Sequence, residues 1–180
     1  MQNKISVAMA TYNGERFLRE QLESLYSQTM PPYEVFVSDD HSTDETHKIL
    51  EEFNKTHGLK YVVNENPLGV NKNFEQAIRS CTGDYIIICD QDDLWFSDKI
   101  QKSFEKLREI ENGKPALVSS QWFKINSEGK ILSKRRKIRK DTYPKVLRNL
   151  GYKGNYTIIM FLTMYILFKI SNPQKSIIKQ

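Results

Sequence analysis

The 180 residues carry 27 Lys/Arg against 22 Asp/Glu, a net charge of +5, and 39% are apolar, which suits one domain with a real core and a short appendage. The charge is uneven: residues 1–100 hold 9 Lys/Arg and 17 Asp/Glu (net −8), whereas residues 101–180 hold 18 and 5 (net +13). Cys81 and Cys89 lack a CxxC spacing or an adjacent histidine, which argues against a disulfide scaffold; Cys89, inside an apolar run, reads as a small buried hydrophobe.

Strand and helix signals alternate through the first hundred residues. Ile5–Met9 reads as a strand that ends at Thr11-Tyr12-Asn13-Gly14, where Asn13 is expected to cap a helix bearing Phe17, Leu18, Leu22, Leu25 and Tyr26 at helical spacing. Pro31-Pro32 stops that helix before a second strand, Glu34–Ser38, which runs into Asp39-Asp40-His41. Ser42-Thr43-Asp44-Glu45 has the pattern of a capping box opening a helix through Phe53. A short strand at Lys60–Val63 and a loop over Asn64–Gly69 precede a helix over Asn71–Cys81 that buries Phe74, Ala77 and Ile78. The β-branched run in Tyr85–Cys89 is the next strand, and Ser97 is expected to cap a helix reaching Ile110. This βαβαβαβα order predicts an α/β fold with a mostly parallel sheet and helices on both faces.

Beyond residue 115 the pattern changes. Ala116–Ser120 and Lys130–Leu132 read as strands, and Lys134–Lys140 is a basic run. Tyr156–Phe168 is an apolar stretch of 13 residues, too short for a spanning helix and suited to a buried or interfacial element. The basic run and this stretch together suggest peripheral contact with an anionic membrane face, with a solvated basic loop as the alternative. No motif for nucleic acid accompanies the basic residues, so nucleic acid is not expected as a partner. The N-terminus shows no signal-peptide core, which predicts a cytoplasmic protein, at the inner face of the membrane if that contact is made.

The chemistry concentrates at strand ends. Three carboxylates in Asp90-Gln91-Asp92-Asp93 repel one another, and a hard divalent cation, which takes carboxylate oxygens and keeps positions for water and phosphate, relieves that repulsion. In a parallel sheet the ends at Tyr12, Asp39 and Asp92/Asp93 open onto one edge, where ligands of such sheets bind. A nucleotide there needs a surface under its base, a carboxylate for base or ribose, and a cation for its phosphates. The dinucleotide fingerprint GxGxxG and the P-loop GxxxxGK are both absent.

Four segments carry a family resemblance: Ser6–Gly14, Val37–Asp44, Asn64–Phe74 and Asp90–Trp95. In this order and spacing they resemble family-2 glycosyltransferases of the GT-A fold, over roughly residues 3–125. The Asp-Gln-Asp-Asp-x-Trp form is similar to bacterial rhamnosyltransferase-like members, which use dTDP-rhamnose to build surface polysaccharide. The resemblance implies transfer of a sugar from a UDP- or dTDP-sugar to a polysaccharide or lipid-linked acceptor, assisted by Mg²⁺ or Mn²⁺ and with inversion. It implies that Ala10 and Tyr12 line the base pocket, that Asp39 binds the base, and that Asn71 and Lys72 lie near the nucleotide. Asp92 would approach the ribose and diphosphate, Asp93 would hold the metal, and Asp90 would orient the set.

Other residues receive quieter readings. Asp40 is read as a turn residue, Trp95 as a packing anchor, and His41, His47 and His57 are given no catalytic part. The resemblance divides the chain into a nucleotide-sugar-binding domain over 1–125 and an atypical acceptor or membrane-proximal region over 126–180. An inverting family member needs a general base from that second region, and only Glu128 and Asp141 are acidic after residue 113. No catalytic base is assigned. The alternative expectation is a truncated member that binds nucleotide sugar without efficient transfer, or a binding subunit completed by a partner. A metal-dependent nucleotidyltransferase fits Thr11–Gly14 and Asp39–Ser42 less well.

Overall fold

The computed structural model describes residues 3–110, 117–120, 123–125, 131–134 and 166–169. Two compact units divide the chain, Met1–Val118 with Tyr165–Gln180, and Ser119–Met164. The order of elements is β1 (Ile5–Thr11), α1 (Leu18–Tyr26), β2 (Glu34–Asp39), α2 (Thr46–His57), β3 (Lys60–Val63), α3 (Val70–Ser80), β4 (Tyr85–Asp90) and α4 (Lys99–Ile110). Four short strands follow: β5 (Leu117–Ser119), β6 (Phe123–Ile125), β7 (Ile131–Lys134) and β8 (Ile166–Lys169). A six-stranded sheet has the order β3-β2-β1-β4-β8-β5. Strands β1 to β4 are parallel, and β8 joins β4 antiparallel. β6 and β7 form a separate antiparallel pair with an irregularity between Lys124 and Ile125.

Period-two alternation sorts β1 between two faces. Ile5, Val7 and Met9 join Val35, Val37, Tyr85, Ile87 and Cys89 in one core with Leu18, Leu22 and Leu25 of α1, Ile49, Leu50 and Phe53 of α2, and Ile100 and Leu107 of α4. Each fully buried aliphatic side chain there contributes roughly 1.5–3 kcal/mol relative to exposure. Ser6 and Ala8 point the other way, beside Ser38, Ile86 and Ile88, and small side chains there let α3 lie close over β1 and β2. α3 buries Phe74, Ala77 and Ile78 on that face, and Gln76 Nε2 donates to Ser38 Oγ at 3.2 Å. The mostly parallel sheet with helices on both faces is thus as the periodicity predicts.

Each parallel strand expected to end at Met9, Ser38 or Cys89 continues one or two residues farther, to Thr11, Asp39 and Asp90. β6 had no counterpart among the expected strands. Of the apolar stretch, Ile166–Phe168 lie in β8; residues 156–165, the basic residues 135–140, Glu128 and Asp141 lie outside the described residues.

Two of the expected N-caps, Asn13 and the Ser42–Glu45 capping box, are corrected. α1 begins at Leu18 with no side-chain cap, and α2 begins at Thr46, after Glu45, with none either. The reason is that the cap candidates bond across the two loops: Thr43 N donates to Asn13 Oδ1 at 2.9 Å, and Asn13 N donates to Ser42 Oγ at 2.8 Å. Asp44 Oδ1 instead accepts Thr46 N at 3.0 Å, while its Oδ2 accepts Glu15 N at 3.0 Å.

At the opposite edge of the sheet, buried Glu34 ties four segments together. Its Oε1 accepts the Ser6 hydroxyl (2.7 Å), Thr82 N (2.5 Å) and the Thr82 hydroxyl (2.9 Å), and its Oε2 meets Lys60 Nζ at 2.8 Å. Burial pushes the Glu34 carboxyl up, but the bonds from Lys60, Thr82 and Ser6 outweigh it and hold it below its usual range. A depressed carboxylate adds stability above its unfolded pKa and loses it as pH falls through the folded value. Glu34→Gln should therefore lower the unfolding free energy at pH 7 by about 2 kcal/mol. In urea titrations the gap to wild type should close as pH falls below about 4; an unchanged gap at acid pH would show that the charge plays no part.

Candidate active site

Register places the chemistry. β1 pairs Thr11 with Asp39 on one side and Ala10 with Asp90 on the other, so three strands release their loops at one edge. There a cleft of about 200 Å³ is lined by Ala10, Thr11, Tyr12, Asp40, Val70, Asn73, Phe74, Asp90, Gln91 and Asp92. Tyr12, Val70 and Phe74 give it apolar surface and Asp40, Asp90 and Asp92 give it negative charge. Tyr12 is 54% exposed, so its ring is open to a ligand in the cleft.

Asp39 lies outside that lining. It is fully buried, and its oxygens are engaged inside the turn: Oδ1 accepts Ser42 N (2.9 Å) and faces His47 Nε2 (3.0 Å), while Oδ2 accepts the Ser42 hydroxyl (2.5 Å). Its neighbour Asp40 lines the cleft. Asp40 Oδ1 accepts Leu68 N (2.6 Å) and Asn64 Nδ2 (3.3 Å), and Oδ2 accepts Gly69 N (2.9 Å). A carboxylate ahead of the first turn of α3 is favoured by the helix dipole. Asp40 is therefore a turn residue and a cleft residue at once.

Asn73, 2% exposed, sits on the buried face of α3 and donates Nδ2 to the Thr11 carbonyl (3.3 Å) while its Oδ1 accepts Asn64 Nδ2 (3.2 Å). Gln76 Nε2 completes this layer with a bond to Asn64 Oδ1 at 2.6 Å. Asn71 and Lys72, named by the resemblance, are exposed on the first turn of α3 and do not line the cleft. Asn73 shares a helix face with Ala77, and a polar residue on an apolar face was the available signal for its part.

The acidic motif spreads over different environments because successive residues leave a strand end in different directions. Asp90 is half-buried, Asp92 is exposed, and both line the cleft; Asp93 is half-buried and lies outside the lining. Burial, with the charges of Asp93 and Asp92, pushes the Asp90 carboxyl up to about 6. Burial pushes Lys99 down to about 8 against the charge of Asp93, and its Nζ lies 5.0 Å over the Trp95 ring. Trp95 is buried, as its reading as a packing anchor predicts, and its backbone N–H donates to Ser24 Oγ at 3.2 Å.

Among the described residues, no three or more His, Cys, Asp or Glu side chains form a group able to hold a metal ion. The expected triple of Asp90, Asp92 and Asp93 is thus not a ready-made cage. The donors still fit a hard cation bound to a diphosphate, which takes one or two carboxylates and fills its other positions with phosphate and water. Asp90 and Asp92 supply that number, and the raised Asp90 pKa registers burial first and then the repulsion of its acidic neighbours, both of which a cation would offset.

A parallel α/β sheet with its cleft and acidic motif at the carboxyl edge defines a nucleotide-diphospho-sugar type of domain, the GT-A fold. The family model for Glycosyl transferase family 2 matches residues 6–172, and the chain belongs to that family. A dTDP-rhamnosyl transferase, RfbG of Shigella flexneri, is 40% identical over 107 residues, covering 55% of this chain and 36% of that protein. A UDP-Glc:alpha-D-GlcNAc-diphosphoundecaprenol beta-1,3-glucosyltransferase, WfgD of Escherichia coli, is 27% identical over 160 residues, covering 89% and 61%. The chain thus spans between about one third and three fifths of the length of these curated relatives. Among solved structures, S. aureus TarS 1-349 in complex with UDP matches with TM-score 0.55 and 32% identity over 59% of this chain and 32% of that one. Mannosyltransferase PcManGT from Pyrobaculum calidifontis, in complex with GDP-Man and Mn2+, shares the fold with TM-score 0.64 at 22% identity, over 94% and 45%.

The raised Asp90 pKa has a stability consequence. The folded state keeps this proton to higher pH than the unfolded chain does, so ionising Asp90 between about pH 4 and 6 lowers stability. In metal-free buffer, Asp90→Asn should melt higher than wild type at pH 7 and together with it below about pH 4. Equal melting at pH 7 would show that ionising Asp90 costs the fold nothing.

Proposed function

We propose that this chain forms the donor site of a glycosyltransferase that moves a sugar from UDP- or dTDP-sugar to a saccharide or lipid-linked acceptor. The observation that carries the reading is the cleft where an exposed aromatic ring, apolar helix residues and two carboxylates meet at the ends of β1 and β4. The similarity to RfbG, a dTDP-rhamnosyl transferase, and to TarS, solved in complex with UDP, supports a pyrimidine nucleotide. WfgD, whose name specifies a diphosphoundecaprenol-linked acceptor, supports a lipid-linked saccharide.

In this reading Ala10 and Tyr12 receive the base. Asp40 Oδ2 accepts one bond, from Gly69 N, and keeps a lone pair for the N3–H of uracil or thymine. Asp39 shapes the turn beneath, because it is fully buried outside the cleft lining with its carboxylate turned to Ser42 and His47. Asp92 and Asp90 face the diphosphate, where they would hold Mg²⁺ or Mn²⁺, with the Asp93 charge adding to theirs. A cation so held would offset the charge that develops on the leaving diphosphate. An acceptor hydroxyl attacks the anomeric carbon as the bond to the diphosphate breaks, inverting that centre, and its proton passes to a general base. The basic run over 134–140 would bring the chain to an anionic membrane surface near a lipid-linked acceptor.

Calorimetry tests the reading. UDP or dTDP should bind more tightly with Mn²⁺ than with chelator, and GDP should bind more weakly than either. Asp92→Asn should remove roughly tenfold or more of the Mn²⁺-dependent affinity. The exposed position of Asp92 leaves the fold intact in that variant. Binding of UDP and dTDP that is absent, or indifferent to both Mn²⁺ and Asp92, would overturn the proposal.

A further inference from the structure

The side chain of Gln91, between the carboxylates of the acidic motif, does something none of the neighbouring acids can do. Its Oε1 accepts Tyr12 N at 2.9 Å and the Thr11 hydroxyl at 2.5 Å, while its Nε2 donates to the Tyr12 carbonyl at 3.1 Å. One primary amide thus meets both backbone groups of Tyr12, as a neighbouring β-strand would, at the point where β1 has left the sheet. Only this orientation of the amide satisfies both Tyr12 N–H and Tyr12 C=O. An aspartate or glutamate offers acceptors alone and leaves that carbonyl without its bond.

A second observation supports a tight fit. A Cβ added at Gly14 would come within 2.7 Å of Gln91 Oε1 and of Thr11 Oγ1. Glycine at 14 keeps the space that the Gln91 amide occupies against the loop. Both Gln91 and Tyr12 line the cleft, one from the β4 side and one from the β1 side.

We infer that Gln91 is a positioning residue that locks the Tyr12 loop to the acidic motif, so that the nucleoside wall and the diphosphate wall of the donor site are held as one preorganised unit. This rests on the donor-site reading above. Its physical basis is the entropy of ordering: a loop fixed before binding does not have to be fixed by the ligand. Gln91 touches no reacting atom in this assignment; it acts through the Tyr12 peptide and through the backbone of its neighbour Asp92.

The test separates the clamp from the ligand. In ligand-free protein, Gln91→Met keeps the volume and loses all three bonds, so Tyr12 amide hydrogen exchange should speed up at least tenfold while the amides of Val7 and Met9 stay protected. Gln91→Glu keeps acceptors for Tyr12 N and the Thr11 hydroxyl but sets a carboxylate oxygen against the Tyr12 carbonyl, so its protection should fall between wild type and Gln91→Met, an order that a space-filling role would not predict. UDP affinity should then fall roughly tenfold in Gln91→Met, with little change in melting temperature. If Gln91→Met melts early, Thr11→Val, which removes one bond to the same oxygen, should still accelerate Tyr12 exchange. Unchanged Tyr12 exchange in Gln91→Met, or equal exchange in the Met and Glu variants, would overturn the clamp whatever the ligand does. A confirmed clamp in a protein that binds no UDP or dTDP would instead count against the donor-site reading.

Discussion

Because β1 is hydrogen-bonded on both sides to parallel strands in register, the chain has to leave the sheet at one edge three times. Parallel strands all point their carboxyl ends the same way, so the loops after Thr11, Asp39 and Asp90 crowd together. That crowding brings Tyr12, Asp40 and Asp92 into one cleft although they are far apart in sequence. It also explains why the loops bind one another: Asn13 with Ser42 and Thr43, Gly14 with Thr46, and Glu15 with Asp44 and Glu45. Loops that satisfy each other's backbone groups need no separate helix caps.

The two edges of the sheet differ in their electrostatics. At the amino edge, Glu34 is surrounded by donors and an ammonium, and its carboxylate supports the fold. At the carboxyl edge, Asp90 is half-buried among like charges and its ionisation opposes the fold. A protein that keeps a destabilising charge cluster at the edge where its loops converge gives up stability there for chemistry that needs the charge. The cation proposed for this edge would supply the missing positive charge, offsetting both the carboxylates and the diphosphate it accompanies.

The parallel sheet was legible in the sequence because its strands are β-branched runs and its helices bury residues at strict helical spacing. Ile86–Ile88 and the series Leu18, Leu22, Leu25 admit few other readings. The edge was legible too, since polar residues follow each strand. Its detailed contacts were not. Sequence spacing gives no information on whether Asp39 or Asp40 turns toward the cleft, because the reversal after β2 decides that, with His41 in the left-handed region at φ 66°. The parts of Asn73 and Gln91 depend on partners 62 and 79 residues away, Thr11 and Tyr12, which local patterns cannot register. Asn13 and Ser42 have the chemistry of caps, and the tertiary pairing of two loops overrode that local preference.

The central claim is that nucleotide and cation meet at the carboxyl edge, between β1 and β4. Paramagnetic broadening tests it most directly: isotope-labelled protein is titrated with UDP and substoichiometric Mn²⁺, and the backbone amide signals are followed. The account predicts that Tyr12, Asn13 and Asp90 to Asp93 broaden first. Ser6, Glu34 and Thr82, roughly 15–20 Å away along the strands, should stay sharp at the same Mn²⁺ concentration. Broadening centred on Glu34 and Thr82, or spread evenly over the protein, would contradict it.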